Sequence, residues 1–247
     1  MAGLATRTER NGGCRFCVEE GLPWRTRAPR AVTREPAALR GAGCGELHLC
    51  DSEFGQDLDA SKILLMEMEA EGLDSCWSLY MKPLPHDETL FRPPACNGAY
   101  AITLSVDSDS LRRGAYTLED VGRSVALAGS FGLRIAVDLL VGFPGETVGG
   151  LRGLFDFLRR VRPDTVGVSA WIRVFKHTAL GRSLRGASPP DGKTEGDDPD
   201  FIRPVYFSRL TLDDCRELMA DDPLFRVEGL ERRSNYDRLA MDPEQAW

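Results

Sequence analysis

The sequence predicts a partial (β/α)6 barrel with a small C-terminal extension. Two observations lead there. Runs that read as strands alternate with helical runs through most of the 247 residues, joined by short links, which is the pattern of parallel βαβ units. Five strands are visible and a sixth is available at the start, too few for a closed eight-stranded barrel.

Each element has its own signal. Leu4 to Thr8 supplies the optional first strand. Glu46 to Asp51 (ELHLCD) is a short apolar run ending in an acid. Asp59 to Glu71 has helical spacing, with Asp59 as N-cap and Gly72 as the stop. Ser75 to Met81 (SCWSLYM) reads as a strand closed by Pro83 and Pro85. Leu90 to Ala95 is ambiguous, because Pro93 and Pro94 break a helix. Tyr100 to Val106 (YAITLSV) is a strand. Thr117 to Phe131 opens on a Thr-x-x-Asp capping box and stops at Gly132. Leu133 to Val141 (LRIAVDLLV) is a buried strand, Glu146 to Val161 a helix weakened by three glycines, and Thr165 to Val174 a further strand. Pro189 to Pro199 (PPDGKTEGDDP) reads as a polar loop, Thr211 to Met219 as a helix and Arg232 to Trp247 as a tail. The expected organisation is therefore a barrel over 1–185, an acidic Gly/Pro-rich linker over 186–200 and an extension over 201–247.

Composition narrows the function. The apolar fraction of 42% and charged fraction of 28% are those of a soluble globular protein. The net charge of −7 argues against nucleic acid held by phosphate neutralisation. No apolar run approaches a membrane span and residues 1–20 lack a signal-peptide core, so no membrane partner is expected and the chain reads as cytoplasmic. Seven scattered cysteines do not make a disulfide scaffold, so a close pair points to metal or redox chemistry. Four of the 31 basic residues are lysine, the mark of a GC-rich bacterial genome.

In such folds the chemistry sits where strands end. The first strand is followed by Cys14 and Cys17. The second ends in Asp51, Ser52 and Glu53, the fourth in Asp107 and Ser108. The fifth ends in Gly142-Phe143-Pro144-Gly145-Glu146-Thr147, and the sixth in Arg173, with His177 and Thr178 just after. Thiols, carboxylates and a Gly-Pro-Gly turn opening a helix suit a metal cluster beside a polar, nucleoside-like ligand.

The order of these motifs resembles the radical S-adenosylmethionine superfamily. Cys14-Arg15-Phe16-Cys17, Leu47 to Phe54, Thr103 to Ser108 and Val141 to Thr147 carry the likeness. Trp171 to Leu180 is similar to the sixth-strand region of the subgroup that often has an upstream cobalamin-binding domain. The resemblance covers about residues 4–185. It implies a 4Fe-4S cluster held by three thiolates of a C-x3-C-x2-C loop, with S-adenosylmethionine on the open iron. It further implies cobalamin as a companion cofactor, a small-molecule or peptide substrate, C-methylation or another remodelling of an unactivated carbon, and an electron donor such as a flavodoxin or ferredoxin. By the same resemblance Cys14 and Cys17 are metal ligands and Phe16 packs beside cluster or adenine. Asp51, Ser52 and Glu53 lie near the methionine amino group, and Asp107 and Ser108 near ribose or carboxylate. Val141, Gly142, Pro144, Gly145 and Glu146 support adenine and ribose, and Arg173 joins the cofactor contacts.

The sequence departs from the pattern at one place. Residue 10, where the first cysteine belongs, is Arg, and no cysteine precedes Cys14. Three explanations stay open: a degenerate member without a cluster, a third ligand from elsewhere such as Cys44 or Cys50, or a shortened or altered form of a longer enzyme. Plainer readings stand beside the others. Asp51 and Asp107 can be helix N-caps. Cys50, Cys76, Cys96 and Cys215 read as small core hydrophobes. His48 reads as a hydrogen-bonded histidine, and Arg25 to Arg27 as loop bracing. Three functions compete: a radical-generating enzyme, a cluster-less binding or scaffold relative, and an unrelated barrel enzyme using Asp51, Asp107 and Glu146 as acid–base groups. The cysteines are expected in an exposed loop, and Asp51, Glu53, Asp107, Ser108 and the 142–146 turn are expected to converge on one cavity.

Overall fold

A computed structural model describes residues 2–4, 7–9, 14–18, 20, 25–72, 76–184, 192–195 and 205–227; for 2–4, 7–9, 25, 51–53, 192–195, 205, 207 and 212 it describes the backbone alone. The chain divides into two compact units interleaved in sequence: residues 1–10, 23–105 and 116–137, and residues 11–22, 106–115 and 138–247.

The first unit carries strands β1 (Ala2–Leu4), β2 (Glu46–Phe54), β3 (Cys76–Met81), most of β4 (Ala99–Asp107) and the start of β5 (Arg134–Leu140), hydrogen-bonded in that order. β1 pairs with β2, β2 with β3 and β3 with β4, all parallel, with Leu47 opposite Trp77 and Leu79 opposite Ile102. Leu47, Leu49, Trp77, Leu79 and Ile102 are each buried. Residues from 99 to 107 are almost all buried, as a parallel strand covered on both faces requires. Three helices connect these strands: α1 (Pro29–Gly41), α2 (Leu58–Ala70) and α3 (Leu118–Ser130). The N-cap of α2 is Asp57, whose side chain accepts from Ala60 N. Asp59 sits in the first turn instead, so the cap lies two residues before the expected one. The Thr117–Asp120 capping box on α3 is present in both directions. α1 had no sequence signal, because Pro36 lies inside it; Pro29 starts it and Pro36 is buried. Glu88–Leu90 and Arg92–Cys96 resolve the ambiguous segment as two short helical turns.

The second unit holds the tip of β4, the end of β5, and β6 (Thr165–Ser169), beside which lies β10 (Phe225–Val227) in parallel register, Val166 opposite Phe225. β7 (Trp171–Arg173), β8 (Gly192–Glu195) and β9 (Val205–Ser208) form a separate antiparallel sheet in the order β8–β9–β7. Its helices are α4 (Val148–Val161), α5 (Ala179–Leu184) and α6 (Leu212–Met219). The single strand expected over 165–174 is thus broken at Ala170. Gly142 allows the break: a Cβ there would lie 2.6 Å from the Ala170 carbonyl oxygen, and its φ of +91° is open to glycine. Part of the expected linker, 192–195, is strand; the rest of it, the 232–247 tail and residues 5 and 6 lie outside the described residues. The segment after 201 does more than trail the barrel. Phe225 packs on Phe155 with ring centroids 5.3 Å apart, and Arg152 on α4 pairs with Glu217 on α6 at 2.9 Å.

In the seven-stranded sheet of the described residues, six strands lie side by side in sequence order and the seventh comes from the C-terminal segment. The fold is an α/β arrangement on a parallel sheet, as expected. No helix among the described residues is long and apolar enough to cross a membrane.

Candidate functional site

The site is built in the second unit, where β4 and β5 end. Asp107 closes β4 and caps the short helix Ser108–Arg112, its Oδ1 accepting from Ser110 N at 2.6 Å. The plain N-cap reading of Asp107 is therefore right. Its other oxygen, Oδ2, faces the Cys14 thiol, Sγ to Oδ2 3.9 Å. Asp107 and Cys14 are both buried, at 4% and 7% exposure. The expectation of an exposed Cys14 is corrected: the carboxylate and the packing below draw the turn inward.

Cys14 to Cys17 is one turn, with Cys17 N donating to the Cys14 carbonyl at 3.1 Å. Phe16 stacks on Phe143, ring centroids 5.1 Å apart, and joins the cluster of Phe143, Ile172, Val174, Leu180 and Tyr206. Leu180 N donates to the Arg15 carbonyl, His177 Nε2 pairs with the Val18 carbonyl at 2.7 Å, and Glu20 accepts from Ala179 N. His177 thus braces the cysteine turn. Gly181 lets α5 come close, because a Cβ there would meet the Phe175 carbonyl oxygen at 2.0 Å.

The turn after β5 satisfies itself. Glu146 Oε2 accepts from Gly142 N at 2.7 Å and Phe143 N at 3.1 Å, and Oε1 accepts from the Ser108 hydroxyl. Burial pushes the Glu146 carboxyl above the usual carboxylate range, against the three hydrogen bonds that favour the anion. Ser108 and Glu146, 38 residues apart, are brought together by a hydrogen bond. Glu146 turns inward onto the backbone, so it braces the turn.

Beside Cys17 lies a cavity of about 530 Å³, lined by Phe16, Cys17, Val18, Leu140, Ser169, Trp171, Ile172, Arg173 and Phe175. It takes Phe16, Cys17 and Arg173 from the predicted set and adds Trp171 and Phe175, which flank Arg173 in sequence. On a strand, residues two apart share a face, so Trp171 and Arg173 point together. The Arg173 side chain makes no hydrogen bond or ion pair with a described residue. The aromatic residues on either side of a strand-end arginine were the signal that could have marked this wall.

The side chains of Asp51, Ser52 and Glu53 lie outside the described residues; their backbone continues β2, which runs to Phe54, so Asp51 is not a helix N-cap. The reading of His48 holds, its Nδ1 2.9 Å from Ser78 Oγ. Arg27 braces its loop by pairing with Glu35. Cys215 is buried, but Cys76 and Cys96 are exposed and Cys50 is half-buried, so three of the four are not core hydrophobes. Cys44, Cys76 and Cys96 all stand at N-terminal strand ends, before or at the starts of β2, β3 and β4. Asp107, at the other end of β4, is about 26 Å along the strand from Ala99.

A cluster fits these residues in kind. Two neighbouring thiols, one beside a cavity and one shielded by packing, are soft donors of the type iron–sulfur groups take. In number the chain offers those two: among the described residues no three His, Cys, Asp or Glu side chains are gathered to hold a metal ion.

No protein-family model matches the sequence. A tryptophan 2-C-methyltransferase of Streptomyces laurentii is 29% identical over 207 residues, 74% of this chain and 35% of that protein. The ribosomal protein uS12 methylthiotransferase RimO of Roseiflexus sp. (strain RS-1) is 31% identical over 189 residues, 65% of this chain and 38% of its own length. Among solved structures, the radical S-adenosylmethionine methyltransferase TsrM of Kitasatospora setae, with cobalamin and a 4Fe-4S cluster bound, superposes with a TM-score of 0.78 at 22% identity. That likeness covers 94% of this chain and 55% of TsrM. The chain thus spans between about a third and just over half the length of these proteins. By sequence and by fold together, the chain resembles the radical S-adenosylmethionine superfamily, and within it the cobalamin-binding methyltransferases.

Proposed function

We propose that this chain is the S-adenosylmethionine-binding domain of an iron–sulfur enzyme that methylates an unactivated carbon. The single observation behind it is the juxtaposition of Cys17 with an aromatic cavity containing a guanidinium that has no partner among the described residues. The volume lies within the range of small-molecule sites. Phe16, Trp171 and Phe175 offer faces to a planar base, and Arg173 offers a fork to a carboxylate. S-adenosylmethionine carries both. Cys14 and Cys17 are the cluster ligands this chain supplies. When bound, the cluster contributes the electron that cleaves the sulfonium bond.

The chain's own residues position and protect. Phe16, wedged on Phe143, holds the turn between the two thiols. Asp107 is the acceptor facing Cys14, so it orients that thiol. The apolar cluster around Ile172 and Leu180 keeps water from the underside of the turn. The likeness to tryptophan 2-C-methyltransferase and to cobalamin-bound TsrM supports methyl transfer with cobalamin as companion cofactor. The substrate is a small molecule or a peptide, and the electron comes from a flavodoxin- or ferredoxin-like donor.

A second reading, a cluster-less relative that binds through the same cavity, is favoured by the count of two thiols. Calorimetric titration with S-adenosylmethionine separates them. We expect binding to iron-reconstituted protein, little binding to iron-free protein, and about tenfold weaker binding in Arg173→Ala, the size of one charged hydrogen bond. Equal, tight binding with and without iron supports the second reading. No binding in either contradicts both.

A further inference from the structure

His86 is the one buried residue between Leu84 and Thr89, at 5% exposure in a stretch otherwise half-buried or exposed. The stretch follows β3, and its own backbone bonds before the ring are short-range: Leu84 N to the Lys82 carbonyl at 2.9 Å and His86 N to the Leu84 carbonyl at 2.7 Å. The ring therefore ties the stretch to the rest of the first unit. It rests on the turn that ends β2. A Cβ on Gly55 would lie 3.0 Å from ring atom Cε1 and 3.2 Å from Nε2, and Gly55 has a φ of +86°. Gly55 N donates to Ser61 Oγ in α2 at 3.1 Å. The imidazole thus packs on bare backbone of the connection between β2 and α2, two residues after Glu53. Nε2 lies 3.2 Å from the Lys82 carbonyl. A carbonyl only accepts, so Nε2 carries the proton of the neutral ring and Nδ1 takes the second one.

We propose that His86 is a pH-sensitive latch on the end of β2: neutral, it clamps the turn at 54–57; protonated by solvent, it leaves, and the turn and the 84–89 stretch open together. The inference goes beyond the proposed function and holds with or without a cluster. Burial keeps the packed ring below its ordinary range, against the Lys82 carbonyl and the charges of Asp87 and of Asp120 on α3. Lys62 on α2 and Arg123 on α3 face Asp87 in turn, and the Thr89 hydrogen bonds hold the Asp87 carboxyl below the usual carboxylate range, so it stays charged while the ring titrates. A released ring binds its proton more readily than the packed one. The clamp is therefore present at neutral pH and is lost as pH falls through the ordinary imidazole range. The acidic end of β2, Asp51 to Glu53, would be fastened at neutral pH and loosened by acid.

The test is amide hydrogen exchange of the full chain, read segment by segment and corrected for the intrinsic pH dependence of exchange. Protection of 54–57 and 84–89 should fall about tenfold between about pH 7.5 and about pH 5.5. His86→Gln keeps a donor for the Lys82 carbonyl and does not titrate, so its protection should stay level across that window. His48→Gln removes the other imidazole of the first unit and should keep the fall. Should His86→Gln not fold, the wild-type chain still answers: one imidazole NMR signal should titrate with the midpoint of the exchange change. Level protection in the wild type, an equal fall in His86→Gln, or a fall abolished by His48→Gln would each overturn the proposal. So would a fall spread equally over α1 and β4, or an exchange midpoint that no imidazole signal follows.

Discussion

The turn at 142–146 closes on itself. Glu146 gathers Gly142 N, Phe143 N and the Ser108 hydroxyl, and every other member of the arrangement is within a few residues or on the next strand end. The turn at 14–17 is held from outside. Its carbonyls and thiol are fixed by Leu180, His177 and Asp107, from 93 to about 160 residues away. One turn makes two of the three Glu146 hydrogen bonds within its own five residues. The other is only as good as the segment strapped to it, which is why α5 and the 175–178 loop matter to a site they do not line alone.

The largest effect that separates the two should come from the two close-approach glycines. Gly181→Ala forces a Cβ into the Phe175 carbonyl and should cost about 3 kcal/mol or more. It should also speed modification of the Cys17 thiol by a small alkylating reagent at least about tenfold, one RT-scaled step of 1.4 kcal/mol of local opening. Gly142→Ala, with a contact of 2.6 Å and a positive φ, should cost about 2 kcal/mol and leave the Cys17 rate near wild type. Thermal melts and thiol kinetics read both. Equal acceleration in the two variants would mean that the turns are not independently held.

A middle-sized effect is expected at Glu146. Glu146→Gln keeps the shape but loses a charged acceptor and should cost about 1 kcal/mol at neutral pH. Because burial raises this carboxyl in the folded state, the folded protein binds its proton more readily than the unfolded chain does. That contribution is present at low pH and lost as pH rises through the folded value. Wild type should therefore gain on Glu146→Gln as the solution is acidified from neutral. Melting pairs of the two proteins across that window check the sign; a constant difference contradicts it.

The smallest effect belongs to one strap. Glu20→Gln keeps a weaker acceptor for Ala179 N at the start of α5 and should cost about 0.5 kcal/mol, with a twofold to threefold faster Cys17 reaction. If thiol kinetics do not move, Glu20 does not strap the turn.

The same contrast explains what could be read from the sequence. Strand and helix order was legible because alternation and caps are local: Thr117 and Asp120 form their box, and six strands follow in order. The Gly142–Glu146 turn was legible for the same reason. The inward Cys14 and the bracing by His177 and Glu20 were not, since each depends on partners far along the chain. The strand break at Ala170 escaped because no breaker stands at the site; the residue that accommodates it, Gly142, lies 28 residues earlier. α1 escaped because a proline inside a helix looks like a stop until tertiary packing overrides it.

The measurement that bears most directly on the account is the iron and sulfide content, with the visible absorption, of anaerobically reconstituted protein set against the Cys14→Ala/Cys17→Ala double variant. The account predicts iron and sulfide in equal amounts and a broad visible band in the wild-type chain, both lost in the double variant. A wild-type chain as colourless and iron-free as the variant would contradict it.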